Sequence, residues 1–497
     1  MTGPGLAVGA PTASRALGEG LLRVREWRPW SRIALVEGLA EGSAGPTGAP
    51  YRRERHMGLR RRIGVGDRRG WLTAAVAGLL LLAVGPTGPS WAAPEAALSA
   101  DAFVAGIGVN THLGYDDTLY GRYEDIIKPR LKELGVRSIR EGYFQDRLVP
   151  RYFDVASLGI KLVLIFSADK AARQVPMALP VLEAVEGLNE PDHGEGWVEV
   201  TRKEQTALYR AVKGSNLTSH LPVLVSGMAN TRDSPGKLGP LSDALDLGNT
   251  HNYAGGLPPT SGGWGIELGR ALAEARTVCG DRPLWSTECG YHNRIEQTGH
   301  PGVSEAAAAK YLPRMHALLF GLGLERRYSY ELADEKPDPG MTDMEQHFGL
   351  LRSDGSRKPA FIALRNLIRI LRDPGTGFSP GRLDYTLTGD LRNVRHLLLQ
   401  KRDGSYWLLL WQEVPSFDVR AKRDLSPAAL GVMVTLASPL SAGALYRPGL
   451  SDRPLGALLA ASRVRVSVPD ELVILKLVPA KAGAIDSDAR GGRGDHG

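Results

Sequence analysis

Short apolar runs alternate with longer stretches of helical spacing between residues 101 and 372. Most of these runs begin apolar and carry polar residues near their ends. The eight runs lie at 106–112, 136–142, 161–167, 185–191, 223–229, 247–253, 284–291 and 326–332. Several of the stretches between them close on a glycine, as helices often do. This alternation predicts a parallel sheet covered by helices. Eight strand–helix units in this length favour a closed (β/α)8 TIM barrel of the α/β class over an open sheet.

The pattern changes after the last helical stretch. Residues 358–373 have helical spacing, and Pro359 lies in the first turn, a position that proline tolerates. From residue 380 the pattern is strand-like, and Asp403-Gly404 is typical of a hairpin turn between two apolar runs. These features predict a catalytic barrel over residues 101–372 and a C-terminal antiparallel β-sandwich over residues 380–480. Residues 481–497, rich in Gly, Asp and Arg, are predicted to form a disordered tail.

The N-terminal residues have the pattern of an export signal. From Met57 a basic region precedes an apolar run and a small-residue cleavage pattern that ends at Ala92. A signal peptide over residues 57–92 and a secreted or periplasmic location are therefore expected. The pair Arg68-Arg69 is compatible with twin-arginine export, and a membrane anchor formed by residues 71–84 is the alternative. Residues 1–56 lack periodicity and are interpreted as a disordered leader or a mis-started segment.

Charge and cysteine content narrow the possible functions. The chain has a formal charge of +7, and residues 1–70 contain 13 Arg and 6 acidic residues, so the rest is close to neutral. A basic surface for DNA or RNA is therefore not expected on the folded part, and nothing implies a stable protein partner. Cys279 and Cys289 flank a run expected to be an extended strand. Such a strand holds them too far apart for a disulfide, so two buried free thiols are expected.

Polar side chains follow the apolar runs at the points where the predicted strands end. Because these ends form one mouth in a (β/α)8 barrel, the side chains should converge. Pro191 disfavours the helical region for the preceding glutamate and so fixes that residue where the fourth strand leaves the barrel. The polar residues at the strand ends include His112, Arg140, Asn189, Glu190, His251, Tyr253, Glu288 and Tyr330.

Two carboxylates at one barrel mouth suit the hydrolysis of an acetal. A protonated Glu190 could protonate the leaving oxygen while an ionised Glu288 attacks the anomeric carbon of a sugar. Arg140 and Tyr253 could hold Glu288 ionised and aimed. Asn189 could bind a sugar hydroxyl beside the reacting carbon.

Several candidate residues also have structural interpretations. Arg140 could be an ion-pair partner for a barrel carboxylate, and His251 could be a hydrogen-bonded core histidine. Trp197, Trp264 and Tyr291 lie in loops after the fourth, sixth and seventh runs. Each could stack on a sugar ring through its apolar face or could merely pack the loops together.

No metal or cofactor is expected. The acidic segment 334–345 lacks the spaced ligands of a calcium loop and is interpreted as a solvated loop. The histidines lack the spacing H-E-x-x-H of a zinc site. A G-x-S-x-G motif does not occur at a strand end, which argues against an esterase.

The motifs together resemble the retaining glycoside hydrolases of clan A over residues 103–372. Asn189-Glu190-Pro191 after the fourth strand and Glu288 after the seventh match the motifs of that clan, and residues 347–361 resemble its link into the last helix. The resemblance implies that Glu190 is the acid/base and Glu288 the nucleophile. It also implies substrate-binding roles for Arg140, Asn189, His251 and Tyr253.

One position departs from the pattern of the clan. Tyr330 stands where the clan often has a tryptophan that forms the floor of the subsite for the reacting sugar. There is some likeness to the β-xylosidase and iduronidase branch and to bacterial exopolysaccharide endoglycosidases, without assignment to a branch. The sequence therefore predicts an exported retaining glycosidase that hydrolyses β-linked poly- or oligosaccharides through a covalent glycosyl-enzyme. The alternative is a non-catalytic glycan-binding protein on the same barrel.

Overall fold

The structure of the protein is a computed structural model that describes residues 94–480. The predicted leader (1–56), signal peptide (57–92) and tail (481–497) lie outside the described residues. Among the helices that the structure describes, none is long and apolar enough to cross a membrane.

Eight parallel strands form the barrel that the alternation predicts. They are β1 (Ile107–Thr111), β2 (Ser138–Tyr143), β3 (Lys161–Ile165), β4 (Leu182–Glu186), β5 (Val223–Leu224), β6 (Gly248–Tyr253), β7 (Leu284–Gly290) and β8 (Arg327–Ser329). The strands pair in the order β5-β4-β3-β2-β1-β8-β7-β6. A parallel bridge between Leu224 and Leu247 joins β5 to the residue before β6, so the sheet closes. The predicted fold class is confirmed.

A helix follows each barrel strand in the chain. The helices are α1 (Lys128–Leu134), α2 (Val149–Ser157), α3 (Ala168–Ala178), α4 (Trp197–Lys213), α5 (Ser234–Leu238), α6 (Leu268–Cys279), α7 (Glu305–Gly321) and α8 (Pro359–Leu371). Pro359 occupies the first position of α8, as its place in the sequence predicts. A further short helix, Ala100–Ala105, precedes β1, and the Ser99 hydroxyl accepts a hydrogen bond from the Ala102 N–H at its start.

Some barrel strands are shorter than the apolar runs that predict them. Glu190 was expected where the fourth strand leaves the barrel, yet β4 already ends at Glu186. A Cβ atom at Gly187 would lie 2.3 Å from Oε1 of Gln205, a residue of α4. Gly187 therefore lets the chain leave the sheet in close contact with that helix. Asn189 and Glu190 consequently lie in a loop beyond the strand.

Apolar side chains fill the barrel beneath the polar strand ends. One buried cluster consists of Val163, Ala184, Leu224, Leu247, Trp285 and Tyr328. These residues precede the polar residues of the same strands, so the polar groups rest on a dry apolar layer. Cys279 and Cys289 are buried and unpaired, as predicted.

The C-terminal part contains the predicted antiparallel sandwich. Its strands are β9 (Arg382–Leu383), β10 (Tyr385–Gly389), β11 (Val394–Gln400), β12 (Tyr406–Gln412), β13 (Phe417–Asp418), β14 (Arg423–Asp424), β15 (Leu430–Leu436), β16 (Leu440–Tyr446), β17 (Gly456–Leu458), β18 (Arg463–Val468) and β19 (Val473–Pro479). One sheet has the order β10-β15-β18, and the other contains β17-β16-β19-β12-β11. The turn at Asp403-Gly404 joins β11 to β12, and Gly404 has a φ of 82°.

Two short strands before the barrel belong to the C-terminal sheets. Leu98–Ser99 pairs in parallel with β11, and Glu95–Ala96 pairs antiparallel with β9. The described part of the chain therefore starts in the sandwich, forms the barrel and returns to the sandwich. The barrel and the sandwich also meet across buried charges. Arg314 of α7 is fully buried and lies 3.0 Å from the carboxylate of Glu413.

Candidate active site

Glu288 lies near the C-terminal end of β7 and is almost completely buried. Its carboxylate accepts a hydrogen bond from Nη1 of Arg140 at 2.6 Å and another from the Tyr253 hydroxyl at 2.5 Å. The two donors come from β2 and β6, and each binds a different oxygen. Together they hold its side chain in one orientation. The sequence predicted both neighbours.

Arg140 is itself held by a second carboxylate, that of Glu186 in β4. Nε and Nη2 of Arg140 each donate to a Glu186 oxygen at 2.8 Å, and Nη2 also donates to Oδ1 of Asn189 at 2.7 Å. Glu186 is fully buried and accepts further hydrogen bonds from Asn249 and the Thr287 hydroxyl. Burial alone would lower the pKa of Arg140, but the charges of Glu186 and Glu288 raise it. Arg140 therefore stays charged while it links the two carboxylates.

Glu190 is held in an unusual backbone conformation. Its φ of 43° and ψ of 53° place it in the left-handed region, before a 3₁₀ turn that Pro191 begins. Its N–H donates to the Gly227 carbonyl at 3.0 Å. The carboxylate of Asp192 accepts hydrogen bonds from the N–H groups of Ala229 and Asn230, at 3.0 and 2.9 Å. Left-handed backbone at a residue other than glycine costs on the order of 1 kcal/mol, so these contacts hold a strained but defined position.

His251 lies between the two candidate catalytic carboxylates. Its Nδ1 donates to Oε1 of Glu190 at 2.7 Å and lies 3.6 Å from Oε2 of Glu288. Its Nε2 lies 3.1 Å from the hydroxyl of Thr287. One oxygen from each glutamate and one nitrogen of His251 lie within 4.8 Å of one another. The structure thus brings Glu190, Glu288 and His251 into one buried cluster at the barrel mouth.

The electrostatics of this cluster favour a proton on His251 rather than on Glu190. Burial would raise the pKa of Glu190, but hydrogen bonds from His193 and His251 outweigh it and lower that pKa. Burial would lower the pKa of His251, but the charge of Glu288 and the hydrogen bond to Glu190 raise it. The pair formed by Glu190 and His251 therefore holds one proton, on His251, which donates to Glu190 across 2.7 Å. An acid/base glutamate with a raised pKa is the usual arrangement, and the pKa of Glu190 is instead lowered.

His112 and Tyr330 lie together on another side of the mouth. The ring of Tyr330 is 5.8 Å from that of His112 and 6.4 Å from that of Tyr253. His112 stacks on Tyr115 at 4.7 Å, and burial lowers the pKa of His112 to about 3. His112 is therefore neutral at ordinary pH. These aromatic rings form a wall next to the Tyr253 hydroxyl that binds Glu288.

The three loop aromatics that the sequence singled out have different surroundings. Trp264 is 52% exposed. Trp197 is partly buried and packs against the main hydrophobic core. Tyr291 is buried, with its ring 5.0 Å from that of Tyr311 and its hydroxyl donating to the Leu257 carbonyl. The structure therefore gives Trp197 and Tyr291 packing partners and leaves the indole of Trp264 open to a ligand.

Two residues of the site, Glu186 and Glu345, could not be recognised in the sequence, whereas Glu331 is one of the polar strand-end residues expected at the mouth. Glu186 lies inside an apolar run, where no local pattern marks it as an Arg140 partner. Glu331 follows Tyr330 and is fully buried, and its Oε2 accepts a hydrogen bond from the Tyr120 hydroxyl at 2.6 Å. Glu345 is also buried and accepts a hydrogen bond from the Tyr330 hydroxyl at 3.3 Å. Glu345 belongs to the segment interpreted as a solvated loop, and at this residue that interpretation was wrong.

Two clusters among the described residues contain groups of the kind that bind metals. Glu190, His251 and Glu288 form one, but both oxygens of Glu288 already accept hydrogen bonds from Arg140 and Tyr253. His112, Glu331 and Glu335 form the other, with their nearest ligand atoms within 4.8 Å of one another. One imidazole and two carboxylates would suit a divalent transition metal, and they would equally accept hydrogen bonds from sugar hydroxyls.

Comparisons with known proteins identify the fold. No family model and no curated protein matches the chain. A family 39 glycoside hydrolase from the gut symbiont Bacteroides cellulosilyticus WH2 superposes with a TM-score of 0.55 and 15% identity, over 76% of this chain and 82% of that protein. A glucosidase from Croceicoccus marinus superposes with a TM-score of 0.53 and 12% identity, over 78% of this chain and 97% of that protein. The chain therefore shares the fold of these two proteins, and the predicted (β/α)8 barrel with a C-terminal β-sandwich is confirmed.

Proposed function

We propose that the protein hydrolyses β-glycosidic bonds of a poly- or oligosaccharide with retention of anomeric configuration. The observation that carries this proposal is the spacing of the two carboxylates, because an oxygen of Glu190 and an oxygen of Glu288 lie within 4.8 Å of each other. Carboxyl groups about 5–5.5 Å apart fit a covalent double displacement, whereas inverting enzymes leave about 6.5–9.5 Å for a water molecule. The similarity in fold to two glycoside hydrolases supports the same reaction class.

In the first step, an oxygen of Glu288 attacks the anomeric carbon and forms a glycosyl ester. The bond between that carbon and the glycosidic oxygen breaks, and Glu190 transfers a proton to the departing oxygen. The hydrogen bonds from Arg140 and Tyr253 hold the Glu288 carboxylate in one orientation before the attack. That proton comes from His251, whose Nδ1 is hydrogen-bonded to Oε1 of Glu190.

In the second step, Glu190 acts as a base towards water. Water attacks the anomeric carbon of the ester, its proton passes to Glu190, and Glu288 leaves as a carboxylate. Once Glu288 is esterified, its negative charge no longer supports a proton on His251. The pair of Glu190 and His251 gave up its proton in the first step and can therefore accept one from the attacking water. Each turnover restores the initial protonation state.

The sequence also supports a site of action outside the cytoplasm. We infer from the signal pattern at residues 57–92 that the protein is secreted or periplasmic and that its substrate is an extracellular or envelope glycan. Cell fractionation with an antibody to the folded part would test this location. Recovery of the protein in the cytoplasm alone would contradict it.

The proposed reaction is tested by the stereochemistry of the first product. A panel of 4-nitrophenyl β-glycosides is incubated with the protein, and proton NMR follows the anomeric signals before mutarotation. Retention gives the β-anomer first, and an α-anomer as the first product would overturn the proposal. Glycan binding without turnover on any substrate would favour the non-catalytic alternative.

The role of Glu190 is tested by the dependence on the leaving group. Glu190→Gln should slow methyl glycosides far more than 2,4-dinitrophenyl glycosides, because only a poor leaving group needs a proton. An equal loss on both substrates would contradict the assignment of Glu190 as the acid.

A further inference from the structure

Trp264 presents an indole ring at the barrel mouth. Of the five tryptophans between residues 94 and 480, only this one is exposed, with 52% of its surface accessible. Its Nε1–H donates to the Ala229 carbonyl at 2.8 Å. Because the one polar group of the ring is already bonded, what remains for a ligand is the apolar face.

The loop that carries Trp264 is tightly constrained. Trp264 has a φ of 49°, and Gly263 and Gly265 on either side also have positive φ values. A Cβ atom at Gly263 would lie 2.3 Å from the carbonyl oxygen of Tyr253, so the loop passes directly over the end of β6. The N–H of Gly262 also donates to the Ile266 carbonyl, which closes the loop. The ring is therefore held in place before any ligand arrives.

Hydrogen bonds along the barrel mouth connect Trp264 to the loop after β4 that carries Glu190 and Asp192. The residue that receives its indole hydrogen bond, Ala229, donates its own N–H to Asp192. Gly227, two residues earlier, accepts the hydrogen bond from the Glu190 N–H. The indole thus lies on the side of Glu190, away from the His112 and Tyr330 wall beside Glu288. In a double displacement, the acid/base contacts the leaving group.

We propose that Trp264 is the stacking platform for a sugar ring in the leaving group, so that the enzyme cleaves between sugars of a glycan chain. This proposal rests on the proposed function and adds to it the class of leaving group. A pyranose ring has an apolar C–H face that packs on an indole, and burying both faces favours binding. A small aryl leaving group next to Glu190 would not need this contact.

The test compares two substrate types in three variants. The substrates are β-linked hexasaccharides (cello-, laminari-, xylo- and manno-) and the 4-nitrophenyl β-glycoside of the sugar that the protein hydrolyses. Trp264→Ala should lower kcat/KM for the hexasaccharide by about ten-fold or more and change kcat/KM for the aryl glycoside by less than about three-fold. Trp264→Phe should restore most of the activity on the hexasaccharide, because it keeps an aromatic face.

Leu257→Ala provides the matched control. Leu257 lies in the same loop and is 51% exposed, but it has no ring, so its removal should leave both activities unchanged. If Trp264→Ala loses kcat/KM equally on both substrates, or loses it on neither, the proposed stacking role of Trp264 is overturned. If the parent protein hydrolyses no substrate, the proposed function fails, and the stacking role of Trp264 is then tested by calorimetry of hexasaccharide binding. Weaker binding by Trp264→Ala would support the stacking role, and unchanged binding would overturn it.

Discussion

At the residue scale, the site is organised around one guanidinium shared by two buried carboxylates. Arg140 binds Glu288 with one nitrogen and Glu186 with two others. The bidentate pair fixes the plane of the guanidinium, so the orientation of Glu288 depends on Glu186, a residue that need not contact the substrate. Glu186 is therefore a positioning residue in this arrangement.

Glu186→Gln is expected to lower kcat by roughly 10- to 100-fold. A glutamine amide can accept only through its oxygen, so Arg140 loses half of its bidentate contact and aims Glu288 less well. Glu183→Gln is the matched control, because Glu183 lies in the same strand but pairs with Arg326 at 2.6 Å. Steady-state kinetics and thermal unfolding of both variants check this prediction. A loss of kcat of the same size in Glu183→Gln would mean that stability, not positioning, is responsible.

The shared proton of Glu190 and His251 predicts a pH dependence. The pKa of His251 is raised above 6.5, so the pair loses its proton as the pH rises through that raised value. Activity should therefore fall on the alkaline side, because Glu190 then has no proton to give. The profile of kcat/KM against pH should show this limb, and His251→Asn should move or abolish it. An unchanged alkaline limb in His251→Asn would contradict the shared proton.

The same pair contributes to stability within a defined pH window. The pKa of Glu190 is lowered from 4.5, so its contribution is present above pH 4.5 and is lost as the pH falls through the lowered value. The pKa of His251 is raised from 6.5, so its contribution is present below pH 6.5 and is lost as the pH rises through the raised value. The difference in Tm between the parent and His251→Asn should therefore be largest between pH 4.5 and 6.5.

The sequence predicted most of the residues at this site. The motif around Glu190 and the polar ends of the second, sixth and seventh runs indicated a common mouth, and the structure brings them together. Glu186 was not predicted, because its importance comes from Arg140, a partner on another strand. His193 was not predicted either, because its contact with Glu190 depends on the turn that follows Pro191.

At the scale of elements, the connection after β4 determines where Glu190 lies. Gly187 packs against Gln205, whose amide donates to the carbonyls of Leu224 and Ala244 and whose oxygen accepts from the Ser226 N–H. The glutamine is thus tied to three backbone groups and cannot easily move aside. The loop to Glu190 depends on this close approach.

Gly187→Ala should destabilise the protein by about 1–3 kcal/mol, because the added methyl group would overlap Gln205. Gly142→Ala is the matched control at the end of β2, where a Cβ atom would meet nothing within 4 Å. The control should change the free energy of unfolding by less than about 0.5 kcal/mol. Chemical denaturation of both variants measures the difference. Equal stability of the two variants would contradict the packing inferred at Gly187.

Strand and helix positions could be predicted where local pattern decides them. The apolar runs and the glycines that end the helical stretches predicted the order of strands and helices in the barrel. The strands at Glu95–Ala96 and Leu98–Ser99 were not predicted, because they form only by pairing with residues almost 300 positions later. β16 and β17 were also missed, since their partly exposed small residues leave weak alternation.

At the scale of the whole molecule, buried charges join the barrel to the sandwich. Arg314 of α7 contacts Glu413 and donates to the carbonyls of Val414 and Asp470, all in the C-terminal part. A guanidinium without exposed surface needs such partners. The sandwich therefore packs against the barrel through a buried contact and covers part of the barrel surface.

Glu413→Ala should lower the free energy of unfolding by about 3–5 kcal/mol, because it leaves the buried charge of Arg314 without its carboxylate. Asp452→Ala is the control, because the pair of Asp452 with Arg369 of α8 also joins the two parts but is partly exposed to solvent. Removing that exposed pair should cost less than about 1 kcal/mol. Urea unfolding of both variants decides between these values. A cost for Glu413→Ala no larger than that of the control would contradict the structural role of the buried pair.

The most direct test of the proposed chemistry is covalent trapping of the nucleophile. The protein is incubated with 2-fluoro β-glycosides and cyclophellitol-type epoxides of several sugars, and the labelled peptide is mapped by mass spectrometry. A stable adduct on Glu288 is expected, and the sugar that reacts identifies the substrate class. An adduct on any other residue, or glycan binding with no adduct and no hydrolysis across the panel, would contradict a retaining glycosidase with Glu288 as its nucleophile.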